Sequence, residues 1–101
     1  MPAVYTTAEW IAKPGQQDAF VEAWNAFASW AQDRPGAGTL RLARDLGGDT
    51  RFVSFGSWDD IESVHRWKAD PEFRERMSKV QEHVAEFRPA ELQVVRVVGD
   101  G

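Results

Sequence analysis

The apolar residues switch between a period of two and a period of about 3.6 along the chain, and the order of those switches limits the folds open to it. Residues 4–12, with Val4, Tyr5, Thr6 and Thr7, read as a strand that Lys13-Pro14-Gly15 stops. Residues 17–33 read as a helix. Phe20, Trp24, Phe27 and Ala31 follow its period, with Ala23 and Trp30 beside them, and Arg34-Pro35-Gly36 ends it. Residues 39–45 alternate Leu40 and Leu42 with Arg41 and Ala43. Gly47-Gly48-Asp49 then gives a hairpin signal, and 51–57 is a third strand. Asp59 stands at an N-cap position with Glu62 three residues on, and Asp70-Pro71 opens another helix in the same way. Phe73, Met77, Val80, Val84 and Phe87 form one stripe, predicting that this last helix runs to Arg88-Pro89, with a final strand over 91–98.

The order is β-α-β-β-α-α-β. It belongs to the α+β class and predicts a ferredoxin-like, four-stranded antiparallel sheet in one domain, residues 1–101. The helices of such a fold cover one face of the sheet only. Val53 and Phe55 nevertheless point opposite to Phe52 and Trp58, and Val94 and Val98 opposite to Val95 and Val97. Strands apolar on both sides need cover on both sides, and this chain has nothing left to supply it. A homodimer joined sheet to sheet is therefore expected.

Composition excludes several functions. A net charge of −4 argues against a basic face for nucleic acid. No stretch approaches the roughly 18 apolar residues of a membrane span. The opening MPAVYTTAEW has no basic segment followed by an apolar run, so a cytoplasmic protein is expected. Without cysteine there are no disulfides and no thiolate ligands. With only His65 and His83, a three-His metal site within the chain is excluded.

Candidate site residues come from parity and spacing. Phe52, Ser54, Gly56 and Trp58 share a strand face, and two small residues between two large ones leave a hollow. Gly56 marks either close approach of a ligand or another backbone, or a bulge. His65 and Trp67 diverge by about 200° on their helix, so they leave from opposite sides of it. Ile61 and Val64 mark its buried direction; His65, a weak catalytic candidate, lies toward the surface near Glu62 or Arg66. Glu9 sits in an otherwise uncharged strand. It is a candidate base if it points into the hollow and a solvated residue in the other register. Arg41 and Arg44 have opposite parity, so one of them has the inward parity. Trp10, Trp24 and Trp30, with Trp58 and Trp67, give an aromatic load that favours a cavity wall or a dimer seam for some of them. Asp59-Asp60 reads as a helix N-terminus and not as a catalytic pair.

The segments KPGQQDAFVEAW, RPGAGTLRLARD, RFVSFGSWDDIESVHRW and DPEF resemble the antibiotic biosynthesis monooxygenase domain family over nearly the whole chain. The resemblance implies a dimeric α+β barrel with a ligand cavity between sheet and helices in each subunit. Some members oxygenate polycyclic phenols without metal or flavin, others degrade haem, and others have no known activity. Of the haem-degrading set, Trp67 fits the Trp position. The His position falls at Met77, the Asn position falls at Ala8 and Glu9, and the only Asn is Asn25. Of the phenol-oxygenating set, Trp58 carries over, while its Asn falls at Ser54, its Tyr at Val64 and its Arg near Met77. The resemblance thus adds Trp58, Trp67 and Met77 to Ser54 and Gly56 as pocket residues. It implies a cofactor-independent monooxygenase acting on a small, flat, ionisable aromatic of the phenol, anthrone or quinol class. A non-catalytic binding dimer of the same fold is the alternative.

Overall fold

The computed structural model describes residues 3–99. Its elements are β1 (Val4–Ala12), α1 (Gln17–Gln32), β2 (Ala37–Arg44), β3 (Arg51–Trp58), α2 (Ile61–Ala69), α3 (Pro71–Gln81) and β4 (Val84–Gln93). The strands form one antiparallel sheet in the order β2-β3-β1-β4. The class and element order are those expected, and the helices lie on one face. Val4, Ala8, Trp10 and Ala12 of β1 and Phe52 and Trp58 of β3 meet Phe20, Phe27, Trp30 and Ala31 of α1, Val64 and Trp67 of α2 and Val80 of α3 in a single core. Among the described residues no helix is long and apolar enough to cross a membrane.

At the C-terminal end of the chain two sequence expectations fail, for physical reasons. The third helix does not continue to Arg88; it stops at Gln81, and Val84 and Phe87 belong to β4. A bulge explains the false signal. Ala12 pairs with Val84 but Ile11 pairs with Glu86, so Ala85 is the extra residue. The bulge brings Val84 and Phe87, three apart, to the core side, which imitates a helical spacing. Pro89 is then tolerated because β4 is an edge strand. The final strand is not 91–98 either. Pairing ends at Gln93; beyond it, among the described residues, Val94 alone keeps a backbone bond, its N–H donating to Ala3 O at 2.9 Å. Val95, Val97 and Val98 are exposed, so their alternation says nothing about two faces of a sheet.

The face away from the helices carries Tyr5, Thr7, Glu9 and Ile11 of β1 and Arg51, Val53, Phe55 and Ser57 of β3, all half-buried. Arg51 bridges Glu9 at 2.7 Å and Asp45 at 3.2 Å there. A backbone N–H from Gly47 and the Arg51 guanidinium hold the Asp45 carboxyl below the usual carboxylate range. Arg44 is the inward-parity arginine of β2, with its guanidinium 5.4 Å from the Phe52 ring centre, whereas Arg41 pairs with Phe55 on the other face.

The N-cap of α2 is Asp60 and not Asp59. Asp60 has the extended backbone a cap requires, and its Oδ1 accepts from Ser63 N at 2.8 Å and Ser63 Oγ at 2.7 Å. Asp59 instead donates its N–H to Gly36 O at 2.9 Å, tying the α2 entrance to the start of β2. Asp70 caps α3 as expected, accepting from Glu72 N at 2.8 Å ahead of Pro71. The Ser63 hydroxyl and then the Ser63 N–H hold the Asp60 carboxyl below its ordinary value. Its contribution is therefore present above the unfolded carboxylate value and is lost as pH falls through the lower folded value. Asp60→Ala should lower the urea midpoint at neutral pH. Asp60→Asn, which keeps an acceptor oxygen, should retain much of the cap and flatten part of the acid-side loss. Equal midpoints for parent and Asp60→Ala would contradict the assignment.

Candidate functional site

A cavity of about 190 Å³ lies between the sheet and the helices. The strand register creates it. One inward row across the sheet is large: Phe87, Trp10 and Phe52. The next is small: Pro89, Ala8 and Ser54. The helices resting on the large row cannot descend onto the small one. The floor is therefore Thr6 and Ala8 of β1, Ser54 and Gly56 of β3, and Pro89 of β4, with Trp10 and Phe87 at one side and Leu40 at the other. The roof is Trp24, Phe27 and Ala28 of α1, Trp67 and Lys68 of α2, and Phe73 and Met77 of α3.

Four of the expected pocket residues, Ser54, Gly56, Trp67 and Met77, line this cavity. Trp58 does not. It stands behind Trp67, stacked on it with ring centres 4.7 Å apart at 29°, and its Nε1 donates to Thr6 Oγ1 at 3.1 Å. Such a stack adds about 0.5–1.5 kcal/mol beyond area burial. Phe73 meets Trp67 edge-on at 5.0 Å, and Phe27 lies 5.8 Å from it, so one wall is a fixed aromatic corner. The space over Ser54 is not bare, because Trp10 Nε1 donates to Ser54 Oγ at 2.9 Å. Gly56 lies beside a bulge: the β1–β3 register passes through it unbroken, but the β2–β3 register shifts between Ala37 and Leu40, the partner of Gly56, and a Cβ at Gly56 would collide with the Leu40 side chain.

The two weak catalytic candidates lie outside the cavity. Glu9 projects from the opposite face of the sheet, paired with Arg51 and 3.8 Å from Arg88. His65 is exposed on the far side of α2 from Trp67, with Nε2 3.8 Å from Glu91 Oε1. His83 is held by Gln16 at 2.9 Å away from the cavity. Of the other tryptophans, Trp10 and Trp24 line the cavity, whereas Trp30 lies between the Arg34 and Arg76 guanidinium groups at 5.3 and 5.1 Å. Sequence reasoning misses Phe87 and Pro89, because Val84 and Phe87 read as the end of the third helix and Arg88-Pro89 as its breaker. It also misses Lys68, the one ionisable residue of the wall. Lys68 Nζ donates to Glu91 Oε2 at 2.8 Å, a contact between residues far apart in sequence, and that bond holds the Glu91 carboxyl below its ordinary value.

The family model for antibiotic biosynthesis monooxygenase matches residues 3–79. The chain belongs to that family. Its fold is similar to that of SnoaB, a cofactor-independent oxygenase from Streptomyces nogalater, with a TM-score of 0.89 at 16% identity, covering 99% of this chain and 100% of that one. A Nitrosomonas europaea protein named for the same family is similar at a TM-score of 0.81 and 17% identity, covering 96% and 94% of the two chains. A Chloroflexus aurantiacus protein, also named for it, is similar at 0.77 and 22%, covering 98% and 99%. No curated protein matches the sequence. At these identities the structural likeness carries the fold.

Trp10 is 2% exposed, so its indole N–H depends on Ser54. Ser54→Ala should leave that donor unpaired and cost about 1–3 kcal/mol in urea unfolding. Ser54→Thr, which keeps a hydroxyl, should cost less. An unchanged midpoint for Ser54→Ala would show that the bond contributes nothing.

Proposed function

We propose that the protein is a cofactor-independent monooxygenase acting on a flat, ionisable aromatic of the phenol, anthrone or quinol class. The observation that carries this reading is the cavity itself, an apolar, largely aromatic chamber whose floor is kept low by Ala8 and Ser54. Membership of the family supports the reaction class, and the likeness to SnoaB, a cofactor-independent oxygenase, supports a reaction without a cofactor.

In this reading the substrate is the reductant. A ring CH₂ or phenolic CH becomes a carbonyl, one atom of O₂ is retained and the other leaves as water. All four electrons come from the substrate. Loss of a proton from the substrate gives an electron-rich anion, which passes an electron to O₂. The resulting pair combines to a peroxide that collapses to the carbonyl and water. The protein's part is to exclude water, press the ring between Trp67 and the sheet, and hold the reacting edge near the Ser54 and Trp10 pair. A second reading, a binding protein without turnover, is favoured by one feature of the wall: it holds no carboxylate and no imidazole to take the proton.

The proposal includes a homodimer joined through the helix-free face. The half-buried Tyr5, Ile11, Val53 and Phe55 support it, as does the adjoining exposed Leu92. Sedimentation equilibrium at micromolar concentration should give a dimer, and Val53→Lys should dissociate it; a stable parent monomer would overturn this part.

Oxygen uptake with a panel of anthrones, phenols and quinols tests the activity. Uptake should saturate with at least one of them and yield a quinone carrying one atom of ¹⁸O from ¹⁸O₂. Ala28→Leu should fill the cavity and abolish uptake. Because it fills space that is already empty, it should escape the usual overpacking cost of about 1–3 kcal/mol. Tight aromatic binding without uptake would favour the second reading.

A further inference from the structure

We propose that Lys68 sets the charge specificity of the cavity, selecting flat aromatics that carry an anionic oxygen at one edge; this rests on the aromatic-pocket reading above. Lys68 is the one ionisable side chain in a wall otherwise built from aromatic, aliphatic and hydroxyl groups. It also lies at the entrance. Lys68, Phe73 and Met77 line both the inner cavity and an outer groove that continues past Asp70 and Arg74. An oxyanion entering this chamber leaves water and meets one counter-charge.

The ammonium group is held in place for that task. Glu91, on the inward face of β4 opposite Thr6, accepts from Lys68 Nζ at 2.8 Å. A lysine ammonium has three donors, so two remain for a ligand oxygen. Trp67, the next residue of α2, forms the aromatic wall. A ring against Trp67 with its oxygen toward Lys68 is thereby oriented end to end, with its far edge near Ser54. A neutral ring offers at most an uncharged acceptor, so its affinity should depend on Lys68 far less than that of an anion. Because Glu91 competes for the same ammonium, its removal should favour the anion.

Paired probes of one shape test this. 2-Naphthoate is anionic at neutral pH and 2-naphthamide is neutral; both are read by quenching of Trp fluorescence. The parent should bind naphthoate more tightly by about tenfold, the scale of a charge-assisted hydrogen bond. Lys68→Met should erase that preference chiefly through loss of naphthoate affinity, and retained naphthamide binding would also show that the variant is folded. Lys68→Arg should keep the preference, and Glu91→Gln should enlarge it. 2-Naphthol titrated across its own ionisation distinguishes a phenolate from a carboxylate requirement. A parent without preference, or a preference that survives Lys68→Met, overturns the proposal and leaves the pocket standing. Failure of both probes to bind overturns the pocket reading and this proposal with it.

Discussion

The antiparallel register of β1 on β3 is the constraint on which the rest of the molecule depends. It sets Trp10 against Phe52 and Ala8 against Ser54, making one inward row large and the next small. A slip of β1 by one residue against β3 would turn Glu9 toward the helices and send Trp10 outward. The same register puts the Trp10 indole within reach of Ser54 and the Trp58 indole within reach of Thr6. The Trp10 and Trp58 indoles are thus fixed by hydrogen bonds as well as by packing, whereas the buried Trp67 Nε1 has no partner among the described residues, and the hollow between them is built into the pairing of the strands.

Much of this was legible in the sequence because it is written in local patterns. The bounds of β1, the Asp70 cap and the parity of Ser54 and Gly56 follow from neighbours in the chain. The opposite sides taken by His65 and Trp67 follow from helix geometry. What was illegible depends on residues far apart. The bulge at Ala85 exists only against Ala12, and without that partner Val84 and Phe87 read as helix. Val95, Val97 and Val98 have strand-like composition but no strand beside them among the described residues. Lys68 looks like an ordinary helix-surface lysine until Glu91 is brought across from β4. Trp58, closing a strand, and Trp67, on a helix, both stand at pocket positions in the sequence; their stacking puts Trp58 behind Trp67.

Family membership and fold alone leave the chemistry open, since one fold can host unrelated functions. The wall narrows it. Around a ligand this size the chain offers aromatic faces, a Ser54 hydroxyl already engaged by Trp10, and one ammonium at the entrance. Those groups suit a molecule that brings its own reactivity and needs to be kept dry, flat and oriented. They are poorly suited to a substrate that must be activated by a strong protein acid or base.

The central claim is that a flat aromatic occupies the space beneath Met77. The chain has two methionines, Met1 and Met77, so methyl-¹³C methionine labelling gives a two-signal NMR spectrum that Met77→Leu assigns. On titration with an anthrone or naphthol, the Met77 methyl signal should move saturably under the ring current of the ligand, and Ala28→Leu should suppress the movement. A ligand that binds without moving the Met77 methyl would place the site elsewhere and contradict the account.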